Sequence, residues 1–251
     1  VVGHFVKQAV RTDKVPQQDR AAPGYWTNVV LASDFCGLVD VSRHETSAIE
    51  RMLHDTFKEV STSDRKGAAM PKSLKIVKVK RNENLQLWQK YTAGRYGIQN
   101  THGHRCVSLD GVYGGKVLTL ADLPPEVKRE LNPRVNEHFL WHGTNPVAAD
   151  AICKTGFDLA RAGSNAGSMY GPGTYFAECS SKSDEYANSS NVGIYDGMCC
   201  LLLCRVVLGE VQMLTNAGEA VHGIVKTSME SGMYDSVLGN RQAAVGTYRE
   251  F

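Results

Sequence analysis

The stretch GPGTYFAECSSKSDEY, Gly171 to Tyr186, holds two glycines around a proline, a strand-forming patch at Thr174 to Ala177, and a serine-rich helix start at Ser180 to Ser183. Tyr175 lies on the patch and Tyr186 beyond the serines, so two aromatic rings flank a strand-to-helix turn. Leucine or valine would serve a packed core better at both places. The arrangement asks for a reason other than packing.

The chain around this stretch has 251 residues, enough for one large domain or a domain with an extension. Its 42% hydrophobic and 22% charged content is that of a soluble globular protein. A net charge of +2 predicts no strong general affinity for nucleic acid or an anionic membrane. No apolar run approaches the roughly 20 residues of a membrane span. Cysteines at 36, 106, 153, 179, 199, 200 and 204 form no disulfide framework and read as reduced thiols, which places the protein inside the cell, in nucleus or cytoplasm. The first residue is valine and no signal-like segment follows, so the chain reads as a piece of something longer.

Residues 1–25, with Pro16, Pro23 and Gly24, read as a linker or the tail of a preceding segment, and 26–251 as one domain. Trp26 to Leu31 suggests a first strand. Ile49, Met52, Leu53, Phe57 and Val60 recur at helical spacing behind a cap at Thr46 or Ser47, and Ser61 to Pro71 breaks that helix. Leu74 to Lys80 reads as an edge strand with solvated lysines. A helix is expected at Leu85 to Tyr96, and a helical turn at Glu126 to Leu131 begun by Pro124-Pro125. After it come a strand at His138 to Trp141, a helix at Pro146 to Lys154 ended by Gly156, a loop at Arg161 to Gly171, a helix from Ser181 to about Asn188, and strands at Met198 to Val207 and Val211 to Leu214. Val245 to Phe251 reads as the start of a strand. The class is α+β, with mixed, largely antiparallel sheets and flanking helices.

At the end of the His138 strand stands His142-Gly143-Thr144, where a polar side chain can face a cleft and glycine lets a ligand approach the backbone. Taken in order with Gly171 to Glu178, Ser181-Lys182-Ser183, Tyr186, Tyr234 to Val237 and Tyr248-Arg249-Glu250-Phe251, this resembles the catalytic signature of the poly(ADP-ribose) polymerase-type ADP-ribosyltransferases. The resemblance runs over about 26–251 and is strongest from Asn136 to Ala187. It implies the ADP-ribosyltransferase fold and a domain truncated at its C-terminus, because the family continues past the glutamate through the rest of that strand and another.

The resemblance further implies NAD as co-substrate, protein acceptors and release of nicotinamide. His142 would hold the 2′-hydroxyl of the adenosine ribose, and Thr144 would lie near the adenosine half. The Gly143 backbone and the Ser183 hydroxyl would hold the carboxamide, Tyr175 and Tyr186 would sandwich the ring, and Glu250 would be the catalytic carboxylate, with His142 and Tyr175 completing the set. The opening question then has an answer: nicotinamide in NAD is a flat, positively charged ring, and tyrosine faces offer it stacking and a negative quadrupole. Cleavage of the nicotinamide–ribose bond would build oxocarbenium-like charge, as in glycoside hydrolysis. Pro172 stands where the family commonly has lysine. A Glu250 strand without ladder partners would be held poorly. The alternative reading is an inactive module that keeps the NAD cleft for binding or scaffolding; under the transferase reading, product length, mono or poly, is open. The helical regulatory domain of damage-responsive members has no counterpart in 1–45.

Other signals are weaker. His102-Gly103-His104-Arg105-Cys106 lacks a fourth ligand for zinc and reads as a polar loop, so no metal is expected. Cys199, Cys200 and Cys204 read as buried small hydrophobes, and Glu178, Asp184 and Glu185 as helix N-terminal charges. Lys72 to Arg81 as a nucleic-acid stripe is disfavoured by the net charge.

Overall fold

The computed structural model describes residues 14–27, 36–65, 68–112, 115–158, 169–187 and 196–251. A short α1 at Gln17–Arg20 and strand β1 at Cys36–Asp40 precede α2 at Arg43–Asp55. Ser42, rather than Thr46 or Ser47, opens α2. Its hydroxyl accepts the Glu45 N–H while the Glu45 carboxylate accepts the Ser42 N–H, which satisfies two end donors reciprocally. Phe57 and Val60 fall outside the helix, because Thr56 turns the chain with its hydroxyl donating back to the Met52 carbonyl at 2.7 Å. Of the strand expected at Trp26 to Leu31, Trp26 and Thr27 are irregular and 28–31 lie outside the described residues.

The strand expected at Leu74 to Lys80 is displaced. Residues 74–79 are irregular, with Leu74 and Ile76 packed as plugs against Met52, Leu53 and Trp141, and β2 occupies Lys80–Asn84 antiparallel to β1. Lys78 and Lys80 pair with Asp40 at 3.2 and 3.5 Å on an exposed edge. Asn84 ends β2 by accepting the Leu87 N–H, which caps α3 at Leu85–Thr101. Two short helices follow, α4 at Leu109–Val112 and α5 at Pro125–Arg129, the second starting at its proline pair as expected.

The second half supplies the scaffold of the site. Its elements are β3 (Glu137–Thr144), α6 (Pro146–Thr155), α7 (Ser180–Asp184), β4 (Cys200–Val207), β5 (Val211–Leu214), α8 (Glu219–Ser231), β6 (Ser236–Asn240), α9 (Arg241–Val245) and β7 (Arg249–Glu250). β3 pairs antiparallel with β4, while β6 pairs parallel with β5 and antiparallel with β7. The expected Thr174 to Ala177 strand is reduced to bridges: Ala177 joins Trp141 on one side and Glu250 on the other, and Phe176 exchanges bonds of 2.7 and 2.8 Å with Phe251. Residues 176–177 thus couple β3 to β7. Beneath them Leu140, Phe176, Cys204, Val206, Leu238 and Phe251 form one apolar cluster, and the class is α+β as expected. α8, not anticipated from the sequence, buries Val221 and Val225. Cys204 is buried but Cys199 is exposed and Cys200 half-buried, because β4 begins only at Cys200.

Candidate active site

Trp141 and Ala177 exchange backbone bonds of 2.7 and 2.9 Å, which lays 175–177 along β3. The next residue on β3, His142, reaches Tyr175: its Nδ1 is 2.9 Å from the Tyr175 carbonyl oxygen. A carbonyl only accepts, so Nδ1 carries the proton and Nε2 is an acceptor. Burial holds the His142 pKa below its ordinary value, and Phe157 and Phe176 brace the ring at centroid distances of 4.9 and 5.7 Å. His142 is therefore neutral at neutral pH, with Nε2 making no hydrogen bond among the described residues.

Gly143 is the tightest point of the site. A Cβ there would stand 1.7 Å from the Ser183 carbonyl oxygen, so only glycine allows α7 to lie this close to β3. The Ser183 hydroxyl makes no hydrogen bond among the described residues. Gly143→Ala is expected to force α7 away from β3, costing about 1–3 kcal/mol and lowering Tm by several degrees in calorimetry. An unchanged Tm would show that α7 gives way freely. Thr144 ends β3 opposite Cys200 and is half-buried.

Tyr175 is tied down at both ends. Its hydroxyl accepts the Tyr170 N–H at 2.9 Å and donates to the Gly171 carbonyl at 2.8 Å, and burial pushes its pKa up to about 12. Gly171 has φ 92°, which suits glycine in this turn. Tyr186 follows α7 and is 39% exposed; its hydroxyl donates to Asp64 Oδ2 at 3.0 Å.

Glu250 lies on β7 opposite Gly239 and is bridged by Ala177, so it has backbone partners on both sides, contrary to the expectation of a poorly held strand. It is 5% exposed. Lys182 Nζ stands 3.2 Å and Arg241 Nη1 3.8 Å from its Oε1, which is buried without a hydrogen bond. Burial raises its pKa against the pull of the Lys182 and Arg241 charges.

Sequence reasoning passed over Lys182. It is 2% exposed and donates to Asp64 at 2.6 Å and to Glu185 at 2.7 Å, besides facing Glu250. Burial opposes its charge, but Glu250 and its other neighbours outweigh that and hold its pKa well above the usual lysine value. The residues 57–65 that supply Asp64 are sewn onto α7: Lys58 N–H donates to Ser181, Thr62 donates twice to Glu185, and Arg65 pairs with Asp184 at 2.9 Å. Asp184 and Glu185 are therefore partners of this segment rather than free helix-end charges. The one sequence signal was a lysine set between buried-type serines, which requires an anion nearby.

Glu178 is also no helix-end charge. It is 0% exposed and takes Arg249 in a two-pronged pair with both contacts at 2.6 Å, while Arg249 also donates to the carbonyls of Gly115 and Lys116. His102 meets Asp235 at 2.6 Å, and no cluster of three or more metal-ligating side chains exists among the described residues.

Residues 54–242 match the family model of the poly(ADP-ribose) polymerase catalytic domain. The chain is 26% identical over 165 residues to the human protein mono-ADP-ribosyltransferase PARP12, covering 66% of this chain and 18% of that protein. It is 30% identical over 146 residues to poly [ADP-ribose] polymerase 2-A of Oryza sativa subsp. japonica, covering 57% and 21%. It is 32% identical over 129 residues to the poly [ADP-ribose] polymerase tankyrase of Caenorhabditis elegans, covering 49% and 5%. The chain spans less than a quarter of the length of each of these relatives.

Proposed function

Since the chain belongs to the poly(ADP-ribose) polymerase catalytic-domain family, we propose that it transfers ADP-ribose from NAD to protein acceptors and releases nicotinamide. One observation carries the reading: His142, Tyr175 and Glu250 come from three neighbouring backbone segments joined in register through Trp141, Ala177 and Glu250. That these three residues, spread over more than a hundred positions of sequence, lie on adjoining segments supports the reading. The groups also suit the ligand, since His142 Nε2, Ser183 Oγ and Glu250 Oε1 make no hydrogen bond of their own among the described residues.

NAD supplies the scissile nicotinamide–ribose bond. His142 Nε2 accepts a hydroxyl of the adenosine ribose, and Thr144 lies toward the adenosine half. The Gly143 backbone and Ser183 hydroxyl hold the carboxamide, and Tyr175 and Tyr186 take the ring between them. Glu250 accepts a ribose hydroxyl, stabilises the positive charge that grows at the sugar, and takes the acceptor's proton. Lys182 keeps that carboxylate charged and aimed. Acceptors are intracellular proteins, in nucleus or cytoplasm; no helix among the described residues is long and apolar enough to cross a membrane.

Automodification with labelled NAD tests the reading. The wild type is expected to take up label, and His142→Ala and Tyr175→Ala to lose it; a ladder of products would show elongation. Absence of label alongside measurable NAD binding would turn the assignment to a binding or scaffolding module.

A further inference from the structure

Arg241 is the first residue of α9, delivered there by β6 as Asn240 pairs with Arg249 and Gly239 with Glu250. Its guanidinium makes no hydrogen bond among the described residues, and Nη1 is buried and unpartnered. Glu250 Oε1, 3.8 Å away, is buried and makes no hydrogen bond, with Lys182 Nζ as its ion-pair partner at 3.2 Å. A buried guanidinium nitrogen in this state is costly, since it forgoes the bond that water would give it. The spacing of Arg241 Nη1 and Glu250 Oε1 is too long for a hydrogen bond between them, yet one oxygen atom at about 2.8 Å from each would bridge them.

We propose that Arg241 and Glu250 together hold a single substrate hydroxyl, which donates to the carboxylate and accepts from the guanidinium. The chemistry selects the group. A phosphate or carboxylate has no proton to give Glu250, and an ammonium has no lone pair to take from Arg241; a hydroxyl has both. Arg241 is a substrate-binding residue on this view, and the inference rests on the functional reading above, under which that hydroxyl belongs to the nicotinamide ribose. The site for Arg241 is well defined. Asn240 caps α9 by accepting the Ala243 N–H at 3.0 Å, Gln242 N–H donates to the Tyr248 carbonyl at 3.0 Å, and Lys58 Nζ donates to the Gln242 side chain at 3.0 Å. The loop from α9 to β7 is therefore closed on itself, and the arginine is presented from a fixed base.

A substrate cycle tests it. Nicotinamide release is measured for the wild type, Arg241→Gln and Arg241→Lys, with NAD and with NAD analogues lacking either the 2′- or the 3′-hydroxyl of the nicotinamide ribose. With NAD, Arg241→Gln is expected to lower kcat/KM roughly ten- to hundredfold, the size of a lost charge-assisted hydrogen bond, with Arg241→Lys in between. With the analogue that lacks the bridged hydroxyl, the same substitution is expected to cost less than about threefold, because the bond is already gone. An equal loss with NAD and both analogues would mean that Arg241 acts only on Glu250 or on the fold, and no loss with NAD would mean that it holds nothing; either result overturns the inference. If the wild type releases no nicotinamide, the transferase reading fails by itself. The same cycle is then read as dissociation constants by calorimetry, where non-additivity with one analogue supports the shared hydroxyl and strict additivity overturns it.

Discussion

Glu250→Gln is expected to lower kcat for nicotinamide release by about 10²–10⁴-fold, the range for a positioned acid–base group, while NAD binding weakens by no more than about tenfold, because the glutamine carbonyl still accepts the ribose hydroxyl without the charge. Glutamine keeps the shape and the β7 ladder but removes the charge that faces Lys182 and Arg241. Lys182 retains Asp64 and Glu185, so the fold should survive. The pH profile adds a second signature. Burial raises the Glu250 pKa above the ordinary carboxylate value of about 4.3. Wild-type activity should therefore fall as pH drops through that raised value, where the carboxylate gains a proton, and hold above it. Glutamine does not titrate, and the residual activity of the variant should lack that acidic limb. Activity within twofold of wild type would remove Glu250 from the mechanism and leave the cleft as a binding module.

Arg249→Met is expected to destabilise the protein by about 3–5 kcal/mol, because it leaves the Glu178 carboxylate buried and uncompensated. In a chain of this size that corresponds to a fall in Tm of roughly 6–20 °C. Glu178 keeps only the Leu118 N–H at 2.9 Å among the bonds described for it beside Arg249. The double variant Glu178→Met with Arg249→Met removes both charges, and it should be more stable than either single variant. The comparison is made by thermal and denaturant unfolding of all four proteins. A single Arg249→Met variant within about 1 kcal/mol of wild type would show that water reaches Glu178 and that the pair matters little.

Much of the site was legible because its signals are local. The hydroxyl after a glycine at the end of an apolar strand, the glycine-flanked proline, and the tyrosine spacing in Gly171 to Tyr186 each depend on a few neighbouring residues; β3 and α7 formed near their expected places, while the Thr174 to Ala177 strand was reduced to bridges. Element limits were less legible. The α2 start moved from Thr46 to Ser42 because the capping box with Glu45 outcompetes a later cap, and Thr56 ended the helix before Phe57. The lysine-bearing strand moved from 74–80 to Lys80–Asn84, since Leu74 and Ile76 are drawn into the core while Lys80 to Asn84 find antiparallel partners in Cys36–Asp40.

The sequence by itself determined the class of fold, the family, and the order of the residues expected to meet NAD, because period, turn residues and motif spacing are properties of short segments. Only the tertiary structure decided which charges stand around the catalytic carboxylate. Asp64 reaches Lys182 across 118 residues, Glu178 reaches Arg249 across 71, and Arg241 faces Glu250 through the turn between β6 and β7. Such pairings are set by which segments share a sheet or a helix face and by the need of every buried charge for a partner, and neither condition can be evaluated until the chain has folded.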